Sequence, residues 1–298
     1  MTATKKFRYP TGVRPLLVEE TARRRAIESR FVEMLERAGF DEVLLPIIDY
    51  VEPYVQLRRA EAAKQSYRFV DREGDLVAIR SDFTPIVARA LAPAIAESAL
   101  PLRIFYRGDV IRCEATRLGA NREMFQIGAE VIGDATTTAD AEVMLLAARC
   151  VAAFGARPLV VYNDVSIAQT LMTSDDARDA LLSKRISANA DPLIAKLASG
   201  TATLDDVAAD VRTRDAATRL RAIAAALSES NDADFVIHLD DIEEDASYYT
   251  GVRFRVFDGE SRTKVAQGGR YDSLYAKFGA PEPAIGFTFT IDDIGVKP

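Results

Sequence analysis

The sequence predicts an α+β fold: an antiparallel sheet flanked by helices, with a helical insertion. Three observations predict it. Strand-like segments come in pairs around turn residues, as where Tyr67 to Val70 and Leu76 to Arg80 flank Glu73-Gly74-Asp75. Helical periodicity occupies separate stretches, with apolar residues at steps of three and four. From Ser174 to about Glu229 the pattern is alanine- and aspartate-rich without β-branched runs, which reads as inserted helices. Strands joined by hairpins, with helices packed on one side, define this class. The division that follows is a core over 1–173 and 231–298 and an insertion over 174–230.

Taken in order, Val18 to Ala38 carries Ile27, Phe31, Met34, Leu35 and Ala38 on one helical face, and Gly39 can end the helix. Asp41 to Asp49 is rich in branched residues and reads as a strand. Pro46 lacks the amide hydrogen of a central ladder, so the segment belongs at an edge or interface. Thr84-Pro85 opens a helix to about Ser98, with proline in the first turn, where its missing donor costs nothing. Leu102 to Cys113 and Met124 to Ile132 form a long hairpin around a charged loop carrying Arg117 and Arg122. Asp140 to Phe154 is an alanine-rich helix closed by Gly155, and Pro158 to Tyr162 is a strand. After the insertion come strands Phe235 to Leu239, Tyr248 to Phe257 and Lys264 to Gln267. Gly268-Gly269 then leads into a short helix from Arg270 to Phe278, and Ala284 to Ile291 is the last strand.

Composition sets bounds on function. A chain of 298 residues, 48% of them hydrophobic, can bury a substantial core. The 38 basic against 45 acidic side chains give a net charge of −7, which disfavours a nucleic-acid partner. No run approaches the ~20 apolar residues that span a bilayer, and the polar, basic start has no signal-peptide core, so neither membrane nor secretion is expected. Two cysteines, Cys113 and Cys150, fit a reducing cytoplasm better than a disulfide framework. The one histidine, His238 in the strand FVIHL, precedes Asp240 and Asp241 without metal-site spacing and reads as a core or edge residue. No cofactor or metal is expected.

Five segments in fixed order resemble the catalytic core of the class II aminoacyl-tRNA synthetases, and within them the histidyl enzyme. GFDEVLLPIID (Gly39 to Asp49) looks like motif 1, whose proline sits at the dimer interface. FYRGDVIRCEATRLGANREMFQIGAEVIG (Phe105 to Gly133) resembles motif 2, with the Arg-x-Glu of Arg112 and Glu114. SYYTGVRFRVF (Ser247 to Phe257) resembles the histidine-specific tyrosine pair. GGRYDSL and AIGFTFTIDDI (Gly268 to Leu274, Ala284 to Ile294) resemble the Gly-Gly-Arg-Tyr-Asp segment and motif 3.

A free amino acid needs acceptors for its ammonium, donors for its carboxylate and, if it is histidine, polar partners for both ring nitrogens. Asp82, Gln126 and Glu130 can accept, Arg112 and Thr84 can donate, and Tyr248 and Tyr249 can wall and hydrogen-bond an imidazole. By resemblance these seven positions match the histidine pocket of the synthetase. Taken one at a time, paired tyrosines pack and Asp82 caps the helix after it. Their joint occurrence inside the recognised segments points to the pocket.

Two departures bear on function. Glu244, four residues before Tyr248, and Asp293, at the start of the motif 3 helix, stand where the synthetase carries arginine. Adenylation builds negative charge at the α-phosphate and needs cations aimed at it. A carboxylate there opposes it by several kcal/mol per site at an effective dielectric of ~20. The chain also stops shortly after motif 3, where the enzyme continues into an anticodon-binding domain. What the resemblance then implies is a member of the regulatory subunit family of ATP phosphoribosyltransferase. Such a protein has no catalytic residues. It forms a dimer that assembles with short-form catalytic subunits in a hetero-oligomer and takes L-histidine as effector. The rival expectation is a truncated ligase that adenylates an amino acid, for which Arg112 and Glu114 would have a use.

Overall fold

In the helix α1 (Val18–Arg37), Ile27, Phe31 and Leu35 recur every four residues, and all three are buried. Gly39 follows at φ +80°, a left-handed conformation that glycine adopts without strain and that stops the helix. The computed structural model describes residues 9–57, 66–113, 121–155, 157–187, 189–242 and 248–294. Glu114, Arg117 and Glu244 lie outside the described residues, as does the side chain of Asp293, whose backbone closes the 3-10 turn Ile291–Asp293.

Segment 41–49 is not one strand. It splits into β1 (Asp41–Glu42) and β2 (Ile48–Tyr50), with Pro46 in the gap. Each piece sits at an edge, as the missing amide requires. β2, β4 (Leu76–Ile79) and β3 (Arg68–Val70) form a small antiparallel sheet in that order, with the expected hairpin at 71–75. The large sheet runs β1-β5-β6-β11-β10-β9-β7-β8. Its remaining strands are β5 (Leu102–Ile111), β6 (Glu123–Ile132), β7 (Pro158–Asp164), β8 (Asp234–Ile237), β9 (Val252–Asp258), β10 (Lys264–Arg270) and β11 (Ala284–Thr290). The expectation of an antiparallel sheet holds for the six central strands, while both outermost pairs, β1 with β5 and β7 with β8, are parallel.

Four helices connect β7 to β8 across the expected insertion: α5 (Asp175–Ser183), α6 (Pro192–Ser199), α7 (Leu204–Ala209) and α8 (Arg214–Leu227). They follow the short α4 (Val165–Leu171). Their apolar residues Leu181, Leu197, Val207 and Leu220 share one buried cluster with Phe31 of α1, Met144 of α3 (Thr137–Ala152) and Phe287 of β11. Helices were expected on one side only, but α2 (Thr84–Ile95) and the 3-10 turn Tyr275–Phe278 cover part of the opposite face.

Strand alternation decides which face each residue serves. Phe125, Ile127, Ala129 and Val131 of β6, with Ile285, Phe287 and Phe289 of β11, face α1 and α3. A fully buried phenylalanine such as Phe289 contributes roughly 2–3 kcal/mol of transfer free energy. The even-numbered residues between them point to the other face, where apolar cover is incomplete.

Two further expectations are corrected. Tyr248 and Tyr249 precede the strand, which begins at Val252, because the backbone turns there to let Thr250 N–H donate to the Arg270 carbonyl (2.8 Å). The glycine pair does not lead into a helix at Arg270. β10 continues through it, pairing Gly268 with Phe254 and Arg270 with Ile285, and only the short 3-10 turn at 275–278 remains of the expected helix.

Candidate functional site

On the even-numbered face, Gln126, Gly128 and Glu130 of β6 lie opposite Thr290, Thr288 and Gly286 of β11. Glycines make this floor low enough for rings to lie across it. A Cβ on Gly128 would stand 2.4 Å from the Tyr106 hydroxyl, one on Gly286 2.7 Å from the Tyr271 hydroxyl, and one on Gly269 2.8 Å from the Tyr249 ring. Tyr106, stacked on Phe83 at 4.5 Å, shares a hydrogen bond with the Thr288 hydroxyl (3.1 Å).

The side wall is aromatic. Tyr248 and Tyr249 meet at 4.5 Å with their planes tilted by 41°, the hydroxyl of the first donating to that of the second at 3.3 Å, and Tyr271 meets Tyr248 edge-on at 5.8 Å. Burial pushes all three phenols up, Tyr249 to about 12, so they remain hydrogen-bond donors at neutral pH.

At the rim, one Asp82 oxygen accepts from the Thr84 N–H (3.3 Å) at the start of α2. Arg112 hangs from the end of β5, its Nε donating to the Ser81 carbonyl (3.3 Å). Its neighbour in the hairpin, Arg122, is not a bare solvated arginine, for its Nη1 donates to the Tyr67 hydroxyl (2.9 Å).

Six of the seven residues expected from sequence, namely Asp82, Thr84, Arg112, Gln126, Tyr248 and Tyr249, line one partly open cavity. The seventh, Glu130, lies in the floor, 1% exposed. The Tyr275 hydroxyl donates to its Oε2 (2.9 Å). Burial pushes its carboxyl up to about 7, and the Asp82 charge adds to this against the neighbouring hydroxyls of Tyr275, Tyr271 and Thr84. Sequence reading missed Gln267, Gly268, Tyr271, Gly286, Phe287 and Thr288, which complete the lining. The segment GGRYD was noticed but Tyr271 was given no place in the pocket. Cross-strand register brings these residues in, for Gln267 lies opposite Thr288, and Thr288 opposite Gly128.

Of three buried polar atoms here, Gln126 Oε1 has no hydrogen-bond partner among the described residues, and Glu130 Oε1 and Tyr271 Oη, though the phenol is near enough to lower the pKa of the Glu130 carboxyl, do not form a hydrogen bond with any described group. Leaving such an atom unpaired costs about 1–3 kcal/mol. Two acceptors and a phenol, in and beneath a cavity that Asp82 and Arg112 also line, suit a small zwitterion with further polar atoms on its side chain.

No group of three or more potential metal ligands occurs among the described residues. His238 is an exposed edge residue, its Nδ1 3.1 Å from Asp240 Oδ1. Cys150 is buried in α3, and Cys113 sits just past β5.

The chain matches the histidyl-tRNA synthetase family over residues 12–294. It is 30% identical to the ATP phosphoribosyltransferase regulatory subunit of Synechococcus sp. (strain JA-3-3Ab), over 98% of this chain and 76% of that one. The regulatory subunit of the same name from Anaeromyxobacter dehalogenans (strain 2CP-1) is 31% identical, over 95% and 89%. Among solved structures, an ATP phosphoribosyltransferase regulatory subunit/histidyl-tRNA synthetase from Bacillus halodurans superposes with a TM-score of 0.83 at 26% identity, covering 96% of this chain and 82% of that one. Apo histidyl-tRNA synthetase from S. aureus shares the fold at a TM-score of 0.70 and 19% identity, over 97% and 72%.

Proposed function

Because this chain belongs to the family of histidyl-tRNA-synthetase-like ATP phosphoribosyltransferase regulatory subunits, we propose that it is a non-catalytic histidine sensor within that enzyme. It is required by a short-form catalytic subunit and carries feedback from L-histidine to it in the cytoplasm. The observation that carries this reading is the set of three unpaired buried polar atoms in and beneath a cavity lined by the Asp82 carboxylate and the Arg112 guanidinium. In an amino acid with a polar ring, the ring N–H can donate to one of the two acceptors, the other ring nitrogen can accept from the Tyr271 hydroxyl, and the ammonium can donate to the remaining acceptor. Its ammonium faces Asp82, its carboxylate Arg112, and its ring nitrogens the tyrosine wall and floor. Histidine inhibits only by binding the inhibited assembly more tightly than the active one, and the partner must then change histidine affinity by the same factor.

Self-association as a dimer is part of this reading. Leu44, Ile47, Ile48, Tyr50, Phe69, Val70 and Leu76 are exposed large hydrophobics in and around the small sheet, a concentration typical of interaction surfaces. The helices of 174–230 are read as an insertion that braces the large sheet from behind the pocket. No helix among the described residues is long and apolar enough to cross a membrane, and the net negative charge argues against nucleic acid.

Titration calorimetry of L-histidine into the chain and into its complex with the catalytic subunit tests the sensor. Binding is expected, and Gln126→Ala is expected to weaken it about tenfold, the worth of one buried hydrogen bond. No heat from either sample ends the reading. A scaffold blind to histidine would instead activate its partner and show no response for Gln126→Ala to remove.

Arg112 in the pocket favours one alternative, an amino-acid-adenylating ligase. Exchange of labelled pyrophosphate into ATP with each standard amino acid separates the two, and turnover with any of them would decide for the ligase.

A further inference from the structure

Arg270 lies outside the pocket lining, yet its surroundings tie it to both halves of the tyrosine wall. Its side chain is 5% exposed and its guanidinium is used from every side. Nε donates to Asp140 Oδ1 (2.8 Å), Nη1 to the Asp134 carbonyl and to Asp272 Oδ1 (both 3.0 Å), and Nη2 to the Thr136 carbonyl (3.3 Å). This fork fixes the end of β10 against the N-terminal turn of α3. A planar, five-donor group suits such a junction, and lysine cannot reproduce it.

The fixed backbone then holds the wall. The Arg270 carbonyl accepts from the Thr250 N–H (2.8 Å), and the Thr250 hydroxyl accepts from the Asp272 N–H (2.9 Å), so the turn carrying Tyr248 and Tyr249 is laced to residues 270–272. Gly251 lets the Arg270 chain pass, since a Cβ there would stand 3.3 Å from its Cδ. Tyr271, next in the chain, has its N–H bound to the Ala284 carbonyl (2.8 Å), and Asp272 Oδ1 accepts from the Ala284 N–H (3.2 Å). All three rings of the wall thus hang on atoms within two residues of one buried guanidinium.

Resting on the histidine-sensor reading, we propose that Arg270 is a positioning residue, which sets the geometry of Tyr248, Tyr249 and Tyr271 without touching the ligand. Pre-set walls bind tightly because the side chains lose little freedom when the ligand arrives. Releasing the anchor leaves a folded pocket whose rings must be ordered by the ligand itself.

The protein has no tryptophan, so its near-ultraviolet circular dichroism reports mainly tyrosine environments. Arg270→Met is expected to weaken L-histidine binding at least tenfold in calorimetry and to change that spectrum, with far-ultraviolet helicity kept. Arg270→Lys, which retains the charge against Asp140, is expected to recover part of both. Arg107→Met removes another multiply paired arginine, on β5, three strands from β10, where it is bound to Glu28 and Glu42, and should leave both readouts unchanged. Unaltered affinity and tyrosine signal in folded Arg270→Met would overturn the assignment, as would equal losses in Arg107→Met. Should the methionine variant fail to fold, Arg270→Lys carries the test: wild-type affinity and spectrum in it overturn the assignment. A wild-type protein that binds no histidine removes the sensor reading alone, for the tyrosine spectrum still decides whether Arg270 sets the wall.

Discussion

Behind the sheet, in α5 to α8, polar groups close on partners. The Thr213 hydroxyl, 2% exposed, donates to the Val207 carbonyl (2.8 Å), and Asp191 caps α6 by accepting from the N–H groups of Leu193 and Ile194. Arg219 of α8 pairs with Asp164 and with Ser166. Among the described residues, no buried side-chain polar atom without a partner falls between 165 and 230, whereas three surround the pocket. The regions differ in burial as well: between 165 and 230 Thr213 is the one buried polar residue among those described, whereas Thr84, Gln126 and Glu130 are all buried at the pocket. In the helices polar atoms are paired within the fold, and at the pocket three buried ones are left without a partner among the described residues.

The widest separation of the two regions should come from Leu220→Ala. Leu220 is fully buried in α8 within the main apolar cluster, so its truncation leaves a cavity and should cost about 3–4 kcal/mol in denaturant unfolding. Histidine affinity per folded molecule should not change, because the cavity opens on the far side of the sheet. A tenfold loss of affinity in this variant would show that the helical layer and the pocket are one mechanical unit.

Glu130→Gln probes the other side. The folded carboxyl is raised from 4.5 to about 7, chiefly by burial. Between these values the folded state holds a proton the unfolded state has released, so this group's contribution is fully present below pH 4.5 and is lost as pH rises through 7. The unligated wild type should therefore lose up to roughly 3 kcal/mol relative to Glu130→Gln between pH 5 and pH 8. Asp140, raised by burial to about 6, adds a slope of the same sign to both proteins and drops out of the difference. Parallel stability curves would show that Glu130 pays no charge penalty in the floor.

Sequence patterns exposed the two regions unequally. The helices were legible because the 3.6-residue period and the glycine stops at 39 and 155 are local signals. The seven pocket residues were legible only through resemblance to ordered motifs, since an aspartate before a helix or a tyrosine pair means little alone. Tyr271, Gln267 and Thr288 were not legible, because they reach the pocket through the register of β6, β11 and β10. The strand through Gly268 and Gly269 was misread for a related reason. Glycine locally weakens a strand, yet here its bareness admits the Phe254 and Tyr249 rings, and tertiary packing overrides the local preference. The tyrosine pair was placed in a strand because aromatic residues favour one, while the pull of the Arg270 carbonyl on Thr250 bends the chain there.

The smallest effect is expected at the edge of the helical layer. Thr203 begins α7 with a capping box: its hydroxyl accepts from the Asp206 N–H (3.2 Å), and Asp206 accepts from the Thr203 N–H (2.9 Å). A helix as short as Leu204–Ala209 cannot stand without such help, and it places Val207 in the shared core. Thr203→Ala removes one acceptor and should cost about 1 kcal/mol, while Thr203→Ser keeps the box and should cost little. Amide exchange should rise first within α7, because the lost bond is local and Val207 is the one fully buried side chain among this helix's residues. If exchange instead rises uniformly across β6 and β11, the cap supports the pocket as well, and paired and unpaired polar groups can no longer be assigned to separate regions.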